Sequence, residues 1–192
     1  MAVEGPLTNK IAIITGSGKE NGIGAAIALT LARAGARVTI NHVSDSSAAR
    51  AVEVVSTIEA AAGKGSVISI QADVSTPEGT KRIVEGTLSG FKVDHIDIIA
   101  AMDQLTFTLS REIGREGKGI TINTIAPGPV DTDSVPAGDS QSQAMKQWLI
   151  SLTRAEDRIG TVNDIADAVL LLADEKSRWI TGQYISASGG IV

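Results

Sequence analysis

The sequence contains no cysteine, and aromatic residues make up only 3% of it. The absence of cysteine excludes disulfides and cysteine-based metal sites, and it leaves the redox compartment undetermined. With so few aromatics, the core must be built from Ala, Val, Ile and Leu, which is typical of a parallel sheet covered by helices. The chain of 192 residues is long enough to bury a core, and we expect a single domain over residues 1–192.

The sequence also lacks a basic excess, since its formal net charge is −5. We therefore expect no nucleic-acid partner, because there is no surplus of Lys and Arg to displace counterions. No uninterrupted apolar run is long enough to span a bilayer, so no membrane association is expected. The start, MAVEGPLTNK, has no apolar stretch of the kind found in signal peptides, and a cytoplasmic location is the default expectation.

What the sequence does contain is an alternation of short apolar strands with amphipathic helices. Strands are predicted at 10–15, 37–41, 66–71, 94–100, 119–126 and 183–187. Helices are predicted at 22–34, 46–62, 76–88, 101–115, 143–153 and 162–173. This order predicts an α/β fold with a doubly wound parallel sheet, and residues 127–141 form a long loop of the kind that is often functional.

A glycine-rich turn at 15–24, with the sequence TGSGKENGIG, joins the first strand to the first helix. Glycines allow the backbone to approach a pyrophosphate, and the N-terminus of the helix supplies N–H groups and a partial positive charge. Glycines that serve only the geometry of the turn are the alternative, but the position within a βαβ unit favours a nucleotide site. The residues expected around the phosphates are Gly16, Ser17, Lys19, Gly22, Ile23 and Gly24.

The turn is similar to the Thr-Gly-x-x-x-Gly-x-Gly pattern of the short-chain dehydrogenases/reductases, with two extra residues, Glu20 and Asn21, inside it. Three further segments resemble the same family: Asp73-Val74, NTIAPGPVDT at 123–132, and SRWITGQYISASGG at 177–190. The resemblance implies that Asp73 and Val74 contact the adenine. It also implies that the Pro-Gly turn faces the nicotinamide, which makes the other cofactor-contacting residues Pro127, Gly128, Val130 and Thr132.

The resemblance is strongest to fungal members similar to the naphthol and versicolorin reductases, in which a hydride from NADPH reduces a carbonyl of an aromatic polyketide. It implies a Rossmann-like fold, a small-molecule substrate and an oxidoreductase acting on carbonyl or alcohol groups of a secondary metabolite.

The end of the second strand bears on the choice of cofactor. NAD binders of this architecture place Asp or Glu there, where it binds the ribose 2′-hydroxyl. Here the position is held by Asn41, with Ser44 close behind it and no carboxylate before Asp45. Lys19 together with hydroxyl and amide donors suits a 2′-phosphate, so NADP(H) is expected rather than NAD. For His42, contact with the adenosine end and simple solvent exposure are equally open.

The groups that carry the family's chemistry are missing. Its members use a tyrosine, a lysine four residues later and an upstream serine, but Tyr184 is the only tyrosine here and Ser188 stands four residues after it. The sequence passes from IDII at 96–99 directly into AAMDQLTFTLSREIG, which resembles the helix that follows the catalytic lysine. Several dozen residues are therefore expected to be absent near residue 100, which shortens the fold by about one helix-strand unit. No catalytic residue is assigned.

Several functions stay open at this point. One is an NADP(H)-dependent reductase or alcohol dehydrogenase, another a non-catalytic dinucleotide-binding or partner module, and a third an inactive truncated form. A repurposed isomerase or cyclase is a fourth, with Asp103, Asp131 or Asp133 as acid or base, although such residues are more often caps or solvated loop residues. No metal site is expected, since His95 has no second histidine or cysteine beside it. A homo-oligomer is possible, through residues 101–115 or 179–187.

Overall fold

The computed structural model describes residues 4–100, 120–132 and 140–191. It divides into two compact units, Met1–Met102 and Asp103–Val192. The helix predicted at 101–115 lies outside the described residues, as does the middle of the loop predicted at 127–141. The expectation of one domain over the whole chain stays a prediction.

In the first unit, strands and helices alternate strictly along the chain. The elements are β1 (Ile11–Ile14), α1 (Ile23–Arg33), β2 (Arg37–His42), α2 (Asp45–Ala62), β3 (Val67–Gln71), α3 (Pro77–Phe91) and β4 (Ile98–Ala100). The sheet has the order β3-β2-β1-β4, and each of its strand pairs is parallel. The predicted α/β fold with a parallel sheet is confirmed.

The core of this unit is aliphatic, as the shortage of aromatics requires. All four residues of β1 are buried, and β1 lies between β2 and β4 in the sheet. The largest fully buried apolar side chains are Leu7, Ile11, Ile14, Leu31, Ile40, Ile58 and Val38. Each such side chain contributes roughly 2 kcal/mol by leaving water. The central position of β1 places the segment that follows it, the glycine-rich turn, at the middle of the sheet's carboxyl edge.

Helix α3 runs three residues beyond its predicted end at 88. Its N-terminus agrees with the prediction, because the Thr76 hydroxyl accepts a hydrogen bond of 3.0 Å from the Gly79 N–H and Pro77 follows at once. At its other end, Phe91 is buried and the chain leaves the helix at Lys92, whose φ is 55°. The extra turn therefore exists because Phe91 packs into the core, which local sequence signals do not reveal.

In the second unit, the described elements are β5 (Thr124–Pro127), α4 (Ser140–Leu152), α5 (Val162–Ala173), a 3-10 turn (Glu175–Ser177) and β6 (Tyr184–Ala187). Strands β5 and β6 pair in parallel, with Thr124 opposite Tyr184. Within residues 120–132 and 140–191, the buried side chains are Thr124, Ile165, Ala166 and Ser177. No helix of the described residues is long and apolar enough to cross a membrane.

Strand β5 begins at Thr124, later than the predicted start at 119. The preceding residues bond to residues 180–183, which lead into β6, mainly through side chains, beside one backbone bond of 2.7 Å from the Gly182 N–H to the Ile122 carbonyl. The Asn123 amide donates to the Ile180 carbonyl at 2.8 Å and accepts from the Gln183 N–H at 3.1 Å, while the Ile122 N–H donates to the Thr181 hydroxyl at 3.1 Å. Side-chain bonds of this kind compete with regular strand pairing.

Helix α5 begins with a reciprocal cap formed by Thr161 and Asp164, as the sequence pattern predicts. The Asp164 carboxylate accepts from the Thr161 N–H at 2.6 Å and from two guanidinium nitrogens of Arg158 at 2.7 and 2.9 Å. The Arg158 guanidinium, followed by the Thr161 N–H, holds the pKa of Asp164 well below its usual range. The same pairing raises the pKa of Arg158.

We predict that Asp164→Asn lowers the free energy of unfolding by about 1 kcal/mol at neutral pH, because the amide can still accept from the Thr161 N–H but no longer carries the charge that pairs with the partly exposed Arg158. The pKa of Asp164 is lower in the folded chain, so its stabilisation is complete above an unfolded pKa of about 4 and is lost as the pH falls through the folded pKa. Urea unfolding midpoints of the unmodified chain and of Asp164→Asn at pH 7 and pH 2.5 measure the loss of stability at each pH. Asp157→Asn on the same loop is the control. An equal loss at both pH values would contradict it.

Candidate functional site

The glycine-rich turn lies between the end of β1 and the start of α1. Gly16 has a φ of 62°, a left-handed backbone that favours glycine, and a Cβ added there would meet no atom within 4 Å. A Cβ on Gly24 would lie 2.9 Å from both the Gly16 carbonyl oxygen and the Ser17 Cα, and a Cβ on Gly18 would lie 2.7 Å from the His42 Cβ. The turn therefore packs its own backbone tightly at Gly18 and Gly24, and it leaves open space beside Gly16.

The N-terminus of α1 differs from those of α3 and α5. Its N-cap residue is Gly22, which has no side chain to accept from the N–H groups of the first turn, and that turn holds no acidic residue. In α3 and α5, a threonine hydroxyl fills that role. A helix start of this kind directs N–H groups and a partial positive charge toward whatever lies in front of it, which suits an anion.

Ser17 joins the turn to the neighbouring strand β2. Its hydroxyl donates to the Ile14 carbonyl at 2.6 Å and accepts from the Asn41 N–H at 2.9 Å, while its N–H donates to the Asn41 carbonyl at 3.1 Å. Ser17 and Asn41 are both fully buried. The side chain of Ser17 thus holds the turn in place from inside the protein, and its predicted contact with the cofactor stays a prediction.

The side chain of Asn41 connects three segments at the carboxyl edge of the sheet. Its Oδ1 accepts from the Gly16 N–H at 3.3 Å, and its Nδ2 lies 2.9 Å from the Ala72 carbonyl, 3.2 Å from that of Ile70 and 3.2 Å from that of His42. The amide therefore ties the turn to the ends of β2 and β3. The sequence predicts only a contact between Asn41 and the ribose end of the cofactor, which stays a prediction, and it gives no sign of this clamp.

The predicted adenine-contacting pair follows directly after the Asn41 clamp at Ala72. The Asp73 carboxylate accepts from the Ser75 hydroxyl at 2.7 Å and from the Ser75 N–H at 2.9 Å, and these bonds lower the pKa of Asp73. Val74 is exposed. A Cβ on Gly79 would overlap the Asp73 carbonyl oxygen, so the first turn of α3 fixes the backbone of the pair. Asp73 and Val74 lie at the same edge of the sheet as the glycine-rich turn.

Polar and basic side chains lie around the end of β2. Lys19 is exposed on the turn. His42 is half-buried, with its Nδ1 3.3 Å from the Ser69 hydroxyl. The Ser44 hydroxyl, just before α2, lies 2.8 Å from that of Ser46 and 3.3 Å from that of Ser47. The hydroxyl groups of the serines before and at the start of α2 therefore lie just beyond β2, and Lys19 lies on the turn one residue after Gly18, which packs against His42.

Glu20, one of the two extra residues of the turn, forms a contact that the sequence does not predict. The Arg50 Nε on α2 donates to the Glu20 carboxylate at 2.6 Å, and both side chains are only partly exposed. The two residues are thirty positions apart, so no local sequence pattern predicts that they pair.

The predicted nicotinamide-facing segment lies in the second unit. The Gly128 N–H donates to the Ala187 carbonyl at 3.1 Å, and a Cβ on Gly128 would lie 2.6 Å from the Ser188 Cα. Val130 forms a parallel bridge with Gly160. Pro127 ends β5, and Thr132 is half-buried. The segment is therefore packed against the C-terminal glycine turn, and its contact with a cofactor stays a prediction.

The remaining candidates for chemistry have structural partners or lie outside the described residues. Asp131 pairs with Lys146 at 3.0 Å, while Asp103 and Asp133 are outside the described residues. His95 is exposed, and its Nδ1 lies 2.8 Å from Asp94, which together with Asp97 raises the pKa of His95. Across residues 4–100, 120–132 and 140–191, no three His, Asp or Glu side chains form a metal-binding group.

Tyr184, the only tyrosine of the chain, lies on β6 with 72% of its surface exposed. It is the first residue of that strand, so its backbone belongs to the sheet rather than to a helix that could carry a lysine four residues later. No catalytic residue is assigned.

A parallel sheet in which a glycine-rich turn leads from the central strand into a helix start of this kind defines a dinucleotide-binding protein of the Rossmann type. The family model described as short chain dehydrogenase matches residues 10–101, and the model described as Enoyl-(Acyl carrier protein) reductase matches residues 99–192. The chain belongs to the short-chain dehydrogenase/reductase family.

Known proteins resemble the chain along nearly its whole length. The short-chain dehydrogenase/reductase FrzI of Cladobotryum sp is 28% identical over 259 positions, which cover 97% of each chain. Versicolorin reductase 1 of Aspergillus parasiticus is 27% identical over 265 positions, which cover 96% of this chain and 97% of the relative. A blue fluorescent protein from a metagenomic library, solved with NADPH, is 25% identical with a TM-score of 0.80, covering 97% of this chain and 99% of that one.

These comparisons confirm the expected likeness to fungal members of the family. Both sequence alignments are longer than the 192 residues of this chain, although each relative is matched almost from end to end. Several dozen positions of the relatives therefore have no counterpart here.

We predict that Asn41→Asp will not convert the site to NAD but will destabilise the protein. The carboxylate would face the carbonyl oxygens of Ala72, Ile70 and His42 without a hydrogen to donate, which should lower the free energy of unfolding by about 3 kcal/mol. Urea denaturation followed by circular dichroism measures the loss, with Asp45→Asn as a control on the surface just beyond β2. An unchanged midpoint together with stronger NADH binding would contradict this account of Asn41.

Proposed function

We propose that this chain binds NADP(H) through the glycine-rich turn and does not reduce carbonyl groups on its own. The observation that supports cofactor binding is the geometry of the turn. Gly16 has a left-handed backbone with open space beside it, and the N-cap residue of α1, Gly22, has no capping side chain. A pyrophosphate placed there would receive N–H groups from the start of the helix at Ile23 and Gly24.

The surroundings of β2 favour NADP(H) over NAD(H). Asp45 is the first carboxylate after the end of the strand in sequence, and it accepts a hydrogen bond of 3.0 Å from the Gln71 amide. One of its oxygens is therefore already occupied and is not available to a ribose hydroxyl. The exposed Lys19 and the hydroxyl of Ser44 instead supply a cation and a donor for a 2′-phosphate. The structural neighbour solved with NADPH supports the same choice.

The relatives point to a carbonyl or alcohol of a secondary metabolite as the family-type substrate, since one of them is a versicolorin reductase. In a complete member, NADPH supplies the hydride and a positioned acid supplies the proton to the carbonyl oxygen. In this chain the one tyrosine, Tyr184, is exposed on β6, and the residue four positions after it is Ser188 and not a lysine. The proposal therefore separates cofactor binding, for which the residues are present, from proton transfer, for which they are not.

We expect NADPH to raise the melting temperature of the chain by an amount that grows with the NADPH concentration. Gly24→Ala should abolish this effect, because the added Cβ would lie 2.9 Å from the backbone of Gly16 and Ser17 and would move the turn. The matched control is Gly90→Ala on α3, whose Cβ would meet only the flexible end of Ile68 at 2.8 Å.

The control variant should bind NADPH like the unmodified chain, and circular dichroism of both variants without cofactor separates loss of binding from loss of folding. Absence of any response of the unmodified chain at millimolar NADPH would refute the proposed binding function.

We also predict negligible oxidation of NADPH when the purified chain is mixed with aromatic ketones, because no positioned acid is available to protonate the carbonyl oxygen. The measurement is the loss of NADPH absorbance, with mass spectrometry verifying that the protein contains only its 192 residues. A full-length ketoreductase of the family serves as the positive control. Sustained turnover by the verified chain would overturn the second part of the proposal.

A further inference from the structure

The glycine-rich turn contains a negative charge at a place where phosphates are expected. Glu20 is one of the two residues by which this turn exceeds the family pattern, and it lies one position after Lys19. A carboxylate close to a bound phosphate opposes binding, since like charges repel most strongly where water is partly excluded. The turn therefore needs a means of compensating Glu20.

Arg50 provides that compensation. Its Nε lies 2.6 Å from the Glu20 carboxylate, with 35% of the arginine side chain and 41% of the glutamate side chain exposed. This is the distance of a charge-assisted hydrogen bond, which is stronger than a bond between neutral groups. The bond joins the extra residues of the glycine-rich turn to α2, near the beginning of that helix.

The pair lies on the side of the turn that adjoins the end of β2. Gly18 approaches His42 so closely that a Cβ there would lie 2.7 Å from the His42 Cβ, and α2, which carries Arg50, starts three residues after His42. The adenosine ribose of a dinucleotide is bound at this end of the second strand in folds of this type. The charge of Glu20 would therefore repel a bound 2′-phosphate, which lies at this end of the cofactor, and would affect the nicotinamide end less.

We infer that Arg50 is a positioning residue for NADPH, which holds the Glu20 carboxylate against α2 and cancels its charge, so that Glu20 does not repel the 2′-phosphate. This inference rests on the proposed binding of NADP(H). A partly exposed ion pair adds little to folding stability. We therefore expect the loss of this pair to change the affinity for NADPH more than the stability of the fold.

A double-mutant cycle tests the inference, with dissociation constants for NADPH and NADH as readouts. Arg50→Gln should weaken NADPH binding about fivefold and NADH binding less than about twofold, since NADH carries no 2′-phosphate. Glu20→Gln should leave NADPH binding unchanged or slightly tighter. The double variant should return to within about twofold of the unmodified chain, and Arg50→Lys should restore most of the lost affinity.

Lys81→Gln is the matched control, because it removes the same charge from a more exposed ion pair, with Glu85 on α3. It should leave both dissociation constants unchanged, which excludes a general effect of net charge. The difference between Arg50→Gln and the unmodified chain should also shrink as salt rises from 50 to 500 mM, as expected for a screened charge.

The outcomes separate this inference from the function on which it rests. If the unmodified chain does not bind NADPH, the proposed function fails. If it binds and Arg50→Gln has no effect, or the double variant stays as weak as Arg50→Gln, the inference alone fails. A double variant as weak as Arg50→Gln would mean that Arg50 itself contacts the phosphate or shapes the turn. Equal losses for NADPH and NADH would then identify a role in shaping the turn.

Discussion

The buried amide of Asn41 is the interaction on which the nucleotide-binding edge of the first unit depends. Its oxygen accepts from Gly16 in the turn, and its nitrogen lies within hydrogen-bonding distance of Ala72 beyond β3. Because the group is fully buried, a bond that it loses is not replaced by a bond to water, which is costly. Together with Ser17, this side chain therefore holds the glycine-rich turn and the Asp73-Val74 pair at a common edge of the sheet.

The two units differ in how much of the family's architecture their described residues show. The first has an aliphatic core, a parallel sheet and a glycine-rich turn, the elements that we propose hold the phosphate and adenosine side of NADP(H). The second has few buried side chains among its described residues, and its short sheet pairs only β5 with β6. Cofactor binding and catalysis are carried by different segments in this family. A chain can therefore keep the residues for one while lacking those for the other.

Much of the first unit can be predicted from its sequence, because local patterns and tertiary packing agree there. Strands β1 to β3 and helices α1 and α2 lie within one or two residues of their predicted bounds. Prediction was less accurate where distant contacts decide the structure. Helix α3 continues to Phe91 because that ring is buried, and β5 starts late because Asn123 bonds to Ile180 and Gln183. Neither contact can be predicted from the residues next to it in the sequence.

The sequence by itself determined the α/β alternation, the family and the place of the glycine-rich turn, because glycine spacing, short motifs and apolar periodicity are local properties of the chain. It also showed that Tyr184 has no lysine four residues after it. Only the tertiary structure decided that Asn41 is a buried clamp and that Glu20 is paired with Arg50. Both facts depend on side chains that are distant in sequence and meet only when parallel strands and their helices assemble, so no local pattern records them.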